Sequence, residues 1–321
     1  MLEKISLEVG CFGKLPLSPE FIRVNAKGLT LQVFDQWVQE GLHGYRASLG
    51  VHWIQDYLQS DTWNFLYAVP GGTECLVGVM TPNQDKAGRG FPMAIFLRID
   101  GQEFAGRVHK VPVYFHSFLD RAKQMVEEEW KGSSLQEFRE RVSRWEAPEP
   151  GNWDSLDRLY EEFLGAYTLD GLLDLCEART GLATMAAVKA RVREMVFSHR
   201  PSNRCKAGQL MPFPLIHDPA LPFEIPFWME YLKKIGEVTM DFPILFWNKC
   251  PQRGPAVVFM QGAPVSPKSF AKLIHPRSFV EPHWPVASEG AGEVQVGVAP
   301  PDRSEDSDPQ EEWGTLVRLL R

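Results

Sequence analysis

Two short segments set a cation among glycines and prolines, a setting in which backbone amides and a side-chain charge can hold a phosphate. They are "GCFGKLP" at 10–16 and "TPNQDKAGRGFPM" at 81–93. The first invites comparison with a phosphate-binding loop. That motif needs a long glycine-rich turn and a Ser or Thr after its lysine to ligand magnesium, whereas here the turn is short and Leu15 follows Lys14. Gly10 and Gly13 read instead as sites of tight backbone turning, with Pro16 ending a strand. In the second segment Asp85 and Arg89 lie four residues apart around Gly88, placed to pair across a turn. Three uses of Arg89 stay open: a tie within the loop, a receptor for an anion or a protein partner, and a member of a catalytic pocket. Arginine is favoured at protein contact hot spots. The catalytic use lacks a nucleophile with a matched base, and Asp85 beside a cation is a weak base.

Other catalytic patterns fail. There is no GxSxG, HExxH or EF-hand loop, and His109 and His116 stand seven apart where a helical metal pair needs three or four. No catalytic, cofactor or metal residue is assigned, and the chain is expected not to be an enzyme. The five cysteines are scattered and never form CxxC, so a disulfide framework and a thiolate zinc site are both unsupported. The net charge of -7 argues against sequence-independent binding of nucleic acid, which needs cationic patches. The start "MLEKISLEVGCFGKLP" lacks the pattern of a signal peptide. No run approaches the roughly 20 apolar residues that span a bilayer. A cytoplasmic protein without membrane insertion is expected, its oligomeric state unknown. The cations Lys189, Arg191, Arg193, Arg200, Arg204 and Lys206 read as a solvated helix surface or a contact for an acidic partner, and Glu127 to Glu129 as a solvated helix face.

The elements that must position these residues follow from periodicity. Residues 5–13 alternate as a strand does. Leu31, Phe34, Trp37, Val38 and Leu42 share one helical face, with Thr30 as a start. Residues 74–82 and 91–99 are short apolar runs bounded by turn residues, read as two buried strands joined by the second loop. The middle is helical: 113–130 and 152–169 carry apolar stripes, "EAPEPGN" separates them, and 181–197 makes a third helix. A helix at 224–236, strands at "FPILFWN" and "PAVVFMQG", and a short helix capped by Ser266 and Pro267 complete the order. The economical assembly is an α/β fold, one mixed central sheet between helices, with a large helical middle segment. We divide it into an α/β domain at 1–285, with parts at 1–100, 101–205 and 206–285, and a tail. The tail, 286–321, is acidic and rich in Pro and Gly, a composition expected to stay disordered.

"GCFGKLPLSPEFIR", "FDQWVQEGL", "WIQDYLQSDTWNFLYAVP" and "MTPNQDKAGRGFPM" together resemble the TagF/ImpM accessory proteins of bacterial type VI secretion. "ILFWN" and "PAVVFMQGAPVSPKSFAKLI" are similar to that family's second strand pair. The sequence departs at Pro19-Glu20, where Gly-Asp is usual, at Asn83 in place of serine, and at Phe246-Trp247 in place of paired tryptophans. The resemblance implies a three-layer α/β/α sandwich and a non-catalytic cytosolic regulator. Such a protein represses secretion post-translationally by binding a forkhead-associated scaffold protein. The partner-binding face would comprise Gly13, Lys14, Leu15, Pro16, Asp85, Gly88, Arg89, Phe91 and Pro92, provided the two loops converge at one end of the sheet. A phosphate- or nucleotide-binding sensor or enzyme using Lys14 and Arg89, and a structural subunit of the apparatus, stand as alternatives.

Overall fold

The structure, a computed structural model, describes residues 7–69, 71–104, 106–147, 153–169, 171–172, 175, 210–216, 222–234, 244–249, 257–261 and 265–276. The helix expected at 181–197, the cationic cluster from Lys189 to Lys206 and the tail lie outside the described residues.

The strands are β1 (Glu8–Gly13), β2 (Ile22–Val24), β3 (Trp63–Ala68), β4 (Glu74–Thr81), β5 (Met93–Asp100), β6 (Met211–Pro214), β7 (Ile244–Asn248) and β8 (Val257–Gln261). The longer helices are α1 (Leu29–Leu49), α2 (Trp53–Leu58), α3 (Val111–Tyr114), α4 (His116–Gln124), α5 (Leu135–Ser143), α6 (Trp153–Ala166), α7 (Glu224–Lys234) and α8 (Phe270–Ile274). The strands form one eight-stranded sheet in the order β2-β1-β5-β4-β3-β7-β8-β6.

Every neighbouring pair is antiparallel, which corrects the mixed sheet expected from helices lying between strands. A helical crossover makes a parallel pair only when it returns to the adjacent position. Here α1 and α2 carry the chain from β2 at one edge across three strands to β3, so strands running the same way never become neighbours. The α/β class stands.

Alternation on the strands builds the two faces. One lateral row runs Gly10, Phe96, Gly78, Phe65, Phe246, Phe259. Gly78 is required there, because a Cβ would lie 2.8 Å from Phe65 Cζ and 2.4 Å from the Ile95 carbonyl oxygen. Phe34 of α1 lies 4.8 Å from the Phe65 ring, and Trp37 lies 5.1 Å from Phe246 and 5.3 Å from Phe270 of α8. The expected apolar face of α1 is buried, although the helix begins at Leu29 and Thr30 turns its hydroxyl to the Glu74 carbonyl. The opposite row, Cys11, Ile95, Val79, Asn64, Trp247, Val258 and Phe213, faces the other layer. There α4 packs on β4, α5 on β1, and Trp228 of α7 lies 5.2 Å from Phe213. Helices thus cover both sheet faces.

The segment around α8 is bound to the first hundred residues. Trp37 Nε1 donates to the Ser266 carbonyl at 3.1 Å, and Trp63 Nε1 to the Leu273 carbonyl at 2.9 Å. No helix among the described residues is long and apolar enough to cross a membrane.

Candidate functional site: two interlocked loops

Antiparallel pairing of β1 with β5 sets Gly13 opposite Met93. The loop leaving β1 and the loop entering β5 therefore start side by side, and they converge as the site required. At their base the backbones nearly touch: a Cβ on Gly13 would stand 2.0 Å from the Pro92 carbonyl oxygen.

Asp85 is the pin between them. Its side chain is wholly buried, yet it accepts four hydrogen bonds. Oδ1 accepts from the backbone amides of Ala87 (2.9 Å) and Arg89 (3.0 Å). Oδ2 accepts from Arg89 Nε (2.7 Å) and from Lys14 Nζ (3.0 Å), which arrives from the other loop. Short polar side chains such as Asp close turns by bonding their own backbone one or two residues on. Gly88, at a φ of +79, supplies the left-handed step that turn needs. The backbone closes behind it, with Gln84 pairing antiparallel to Gly90 and the Phe91 amide donating to the Asn83 carbonyl at 2.9 Å. Burial pushes the Asp85 carboxyl upward. The Arg89 backbone amide, then Lys14 and the Arg89 guanidinium, outweigh burial and hold it at about 2, below its ordinary 3.8.

The pairing of Asp85 with Arg89 was readable from spacing; three further ties were not. Arg89 Nη2 donates to the Pro19 carbonyl at 2.6 Å, the Lys86 amide to the Ser18 carbonyl at 3.2 Å, and the Asn83 amide to the Tyr57 hydroxyl at 3.2 Å. Ser18 before Pro19 carried a turn signal. Tyr57, 26 residues away in α2, carried none. Below the loops Phe12, Phe21 and Phe91 form an aromatic cluster, with Phe21 and Phe91 centred 4.9 Å apart.

Of the nine residues named from the sequence, Gly13, Leu15, Asp85, Phe91 and Pro92 are buried, Lys14 and Pro16 are half-buried, and Gly88 and Arg89 are exposed. Most of the motif therefore closes the sheet end, and Arg89, its side chain 61% exposed, is what the surface presents. Phosphate chemistry is poorly served. β1 runs on into β2, so the Gly13–Lys14 turn does not itself open a helix, and the two cations share one carboxylate.

An antiparallel α/β sandwich with one end shut by interlocked loops is the class of protein that fold and site define. Residues 10–145 match the TagF N-terminal domain, Type VI secretion system-associated. Those residues thus carry a TagF N-terminal domain, of the kind associated with type VI secretion. They supply four of the six residues of β1 and the whole of β2–β5, while β6–β8 and α8 come from beyond them. The crystal structure of PA0076 from Pseudomonas aeruginosa PAO1 is similar over 91% of this chain and 100% of its own, at 17% identity and a TM-score of 0.49. No curated protein matches the chain.

Proposed function

We propose that this protein is a non-catalytic, cytosolic regulator of type VI secretion, a post-translational repressor that binds a forkhead-associated scaffold protein. The observation that carries the contact role is the fixed, exposed arginine. Arg89 is bonded through Nε and Nη2, while its side chain as a whole stays 61% exposed. A side chain ordered before binding loses little rotamer entropy on contact, which is the setting of an interface hot spot. The TagF domain supports the link to secretion, and the resemblance of the motifs supports the choice of partner. The rival reading, Lys14 and Arg89 together on a phosphate, is disfavoured because an incoming anion would have to displace Asp85.

Co-purification of the tagged chain with the forkhead-associated protein of its own secretion cluster tests the proposal. Wild type is expected to capture it. Arg89→Ala is expected to lower affinity about thirtyfold, the loss of about 2 kcal/mol that marks a hot spot, with cooperative melting retained. Equal capture would leave the loop a structural closure. Absence of capture by wild type would remove the partner assignment.

A further inference from the structure

At the root of the second loop, lined there by Pro82 and Asn83, lies a cleft of about 300 Å³. That is at the lower end of small-molecule sites, which run from about 300 to 1,000 Å³. Its walls come from the turn before β3, the end of β4, Asn248 of β7, Lys123 of α4 and the helical turn Met125–Glu129 that continues α4. The lining is polar, with Asp61, Glu127 and Glu128 against a single cation, Lys123. Asp61 is buried.

The helix wall has an unusual construction. Residues Met125–Glu129 form a π-helical turn, a feature often found at functional sites. In an unbroken α-helix Lys123 and Glu127, four apart, would stack and pair. Here a π turn begins at Met125, between the two. Among the described residues neither makes an ion pair, although both are half-buried and both line the cleft. Glu128, by contrast, is engaged by Lys131 at 3.0 Å. The cleft thus keeps an uncompensated carboxylate, Glu127, beside a buried one, Asp61.

We infer that this cleft binds an organic cation, a guanidinium or primary ammonium group, with Glu127 as its principal counter-charge and Lys123 as a competing charge that limits affinity. The inference uses neither Lys14 nor Arg89 and stands independently of the partner contact. The cation is supplied either by a free amine or by a basic side chain of a protein.

Calorimetric titration of the full chain with agmatine, with an amidated Gly-Gly-Arg-Gly-Gly peptide, and with glutarate as the anionic control tests it. Saturable binding of agmatine or the peptide is expected, and none of glutarate. Whichever cation binds more tightly identifies the source. Glu127→Gln is expected to weaken binding about tenfold, since a hydrogen bond to a charged group contributes about 1.5–3 kcal/mol and each 1.4 kcal/mol is a decade. Lys123→Met is expected to tighten it several-fold. Both positions are partly exposed, so both variants are expected to melt as wild type does. Preference for glutarate, no saturable binding of either cation, or opposite responses of the two variants would overturn the inference.

Discussion

Asp85→Ala is expected to destabilise the protein by about 3–5 kcal/mol, the range for removing one partner of a buried ion pair. Four donors lose their acceptor at once: the amides of Ala87 and Arg89, the Arg89 guanidinium and the Lys14 ammonium. The amides and the guanidinium can turn towards water as the loop loosens. Lys14 cannot do so easily, because its side chain is only 15% exposed and rises from the strand end packed against Pro92. Arg89→Ala removes a 61% exposed side chain and leaves Asp85 with Lys14, so a loss of no more than about 1 kcal/mol is expected. Urea unfolding with an unchanged slope measures each difference. In the double variant with Lys14→Met the Asp85→Ala cost is expected to shrink, since the stranded cation is gone. If Asp85→Ala unfolds within about 1 kcal/mol of wild type, the buried carboxylate is not the pin described here.

The same pin gives a pH dependence with a definite sign. The folded carboxyl titrates at about 2 and the unfolded one at the ordinary 3.8. The unfolded chain therefore takes up this proton first as acid is added. Stability from Asp85 is fully present above 3.8 and is lost as pH falls towards 2. Asp85→Asn, which retains an acceptor without a titrating group, should be less stable at neutral pH and flatter across that acid window.

The sequence and the structure part company where information is non-local. The helical face of α1 was legible because burial imposes a period on contiguous residues, and β4 and β5 because each is a short apolar run bounded by turn residues. β2 is three residues long, too short to show any period. β3 is apolar on both faces except at Asn64 and so shows no sustained alternation. The antiparallel order rests on how far each crossover travels, and no local pattern records that. At the site, Asp85 and Arg89 could be paired from spacing alone, while the partnership of Asp85 with Lys14 depended on the register that sets Gly13 against Met93. The π turn that begins between Lys123 and Glu127 was equally hidden, since it has no side-chain signature in this stretch.

Gly13→Ala is expected to be nearly as damaging as any single change in the chain, and it separates the two explanations of the glycine-rich start. Gly13 has a φ of +133, a region essentially restricted to glycine that costs another residue about 1–3 kcal/mol. The added methyl would also meet the Pro92 carbonyl oxygen at 2.0 Å and the Met93 Cα at 2.7 Å. Both obstacles are backbone, so no rotamer change relieves them, and overpacking of this kind costs about 1–3 kcal/mol more. Together a loss of about 2–6 kcal/mol is expected, with β1 and β5 forced apart at the junction that holds Lys14 over Asp85. Gly88→Ala isolates the conformational part. Its φ is +79, but nothing lies within 4 Å of the added carbon, so a cost of only about 1–2 kcal/mol is expected. Soluble yield and urea midpoints of the two variants decide the matter. A large gap means that Gly13 exists for close approach of two loops. Equal effects would mean that the junction can open to admit a methyl group, and the interlock would then be too loose to hold Arg89 in place for a partner.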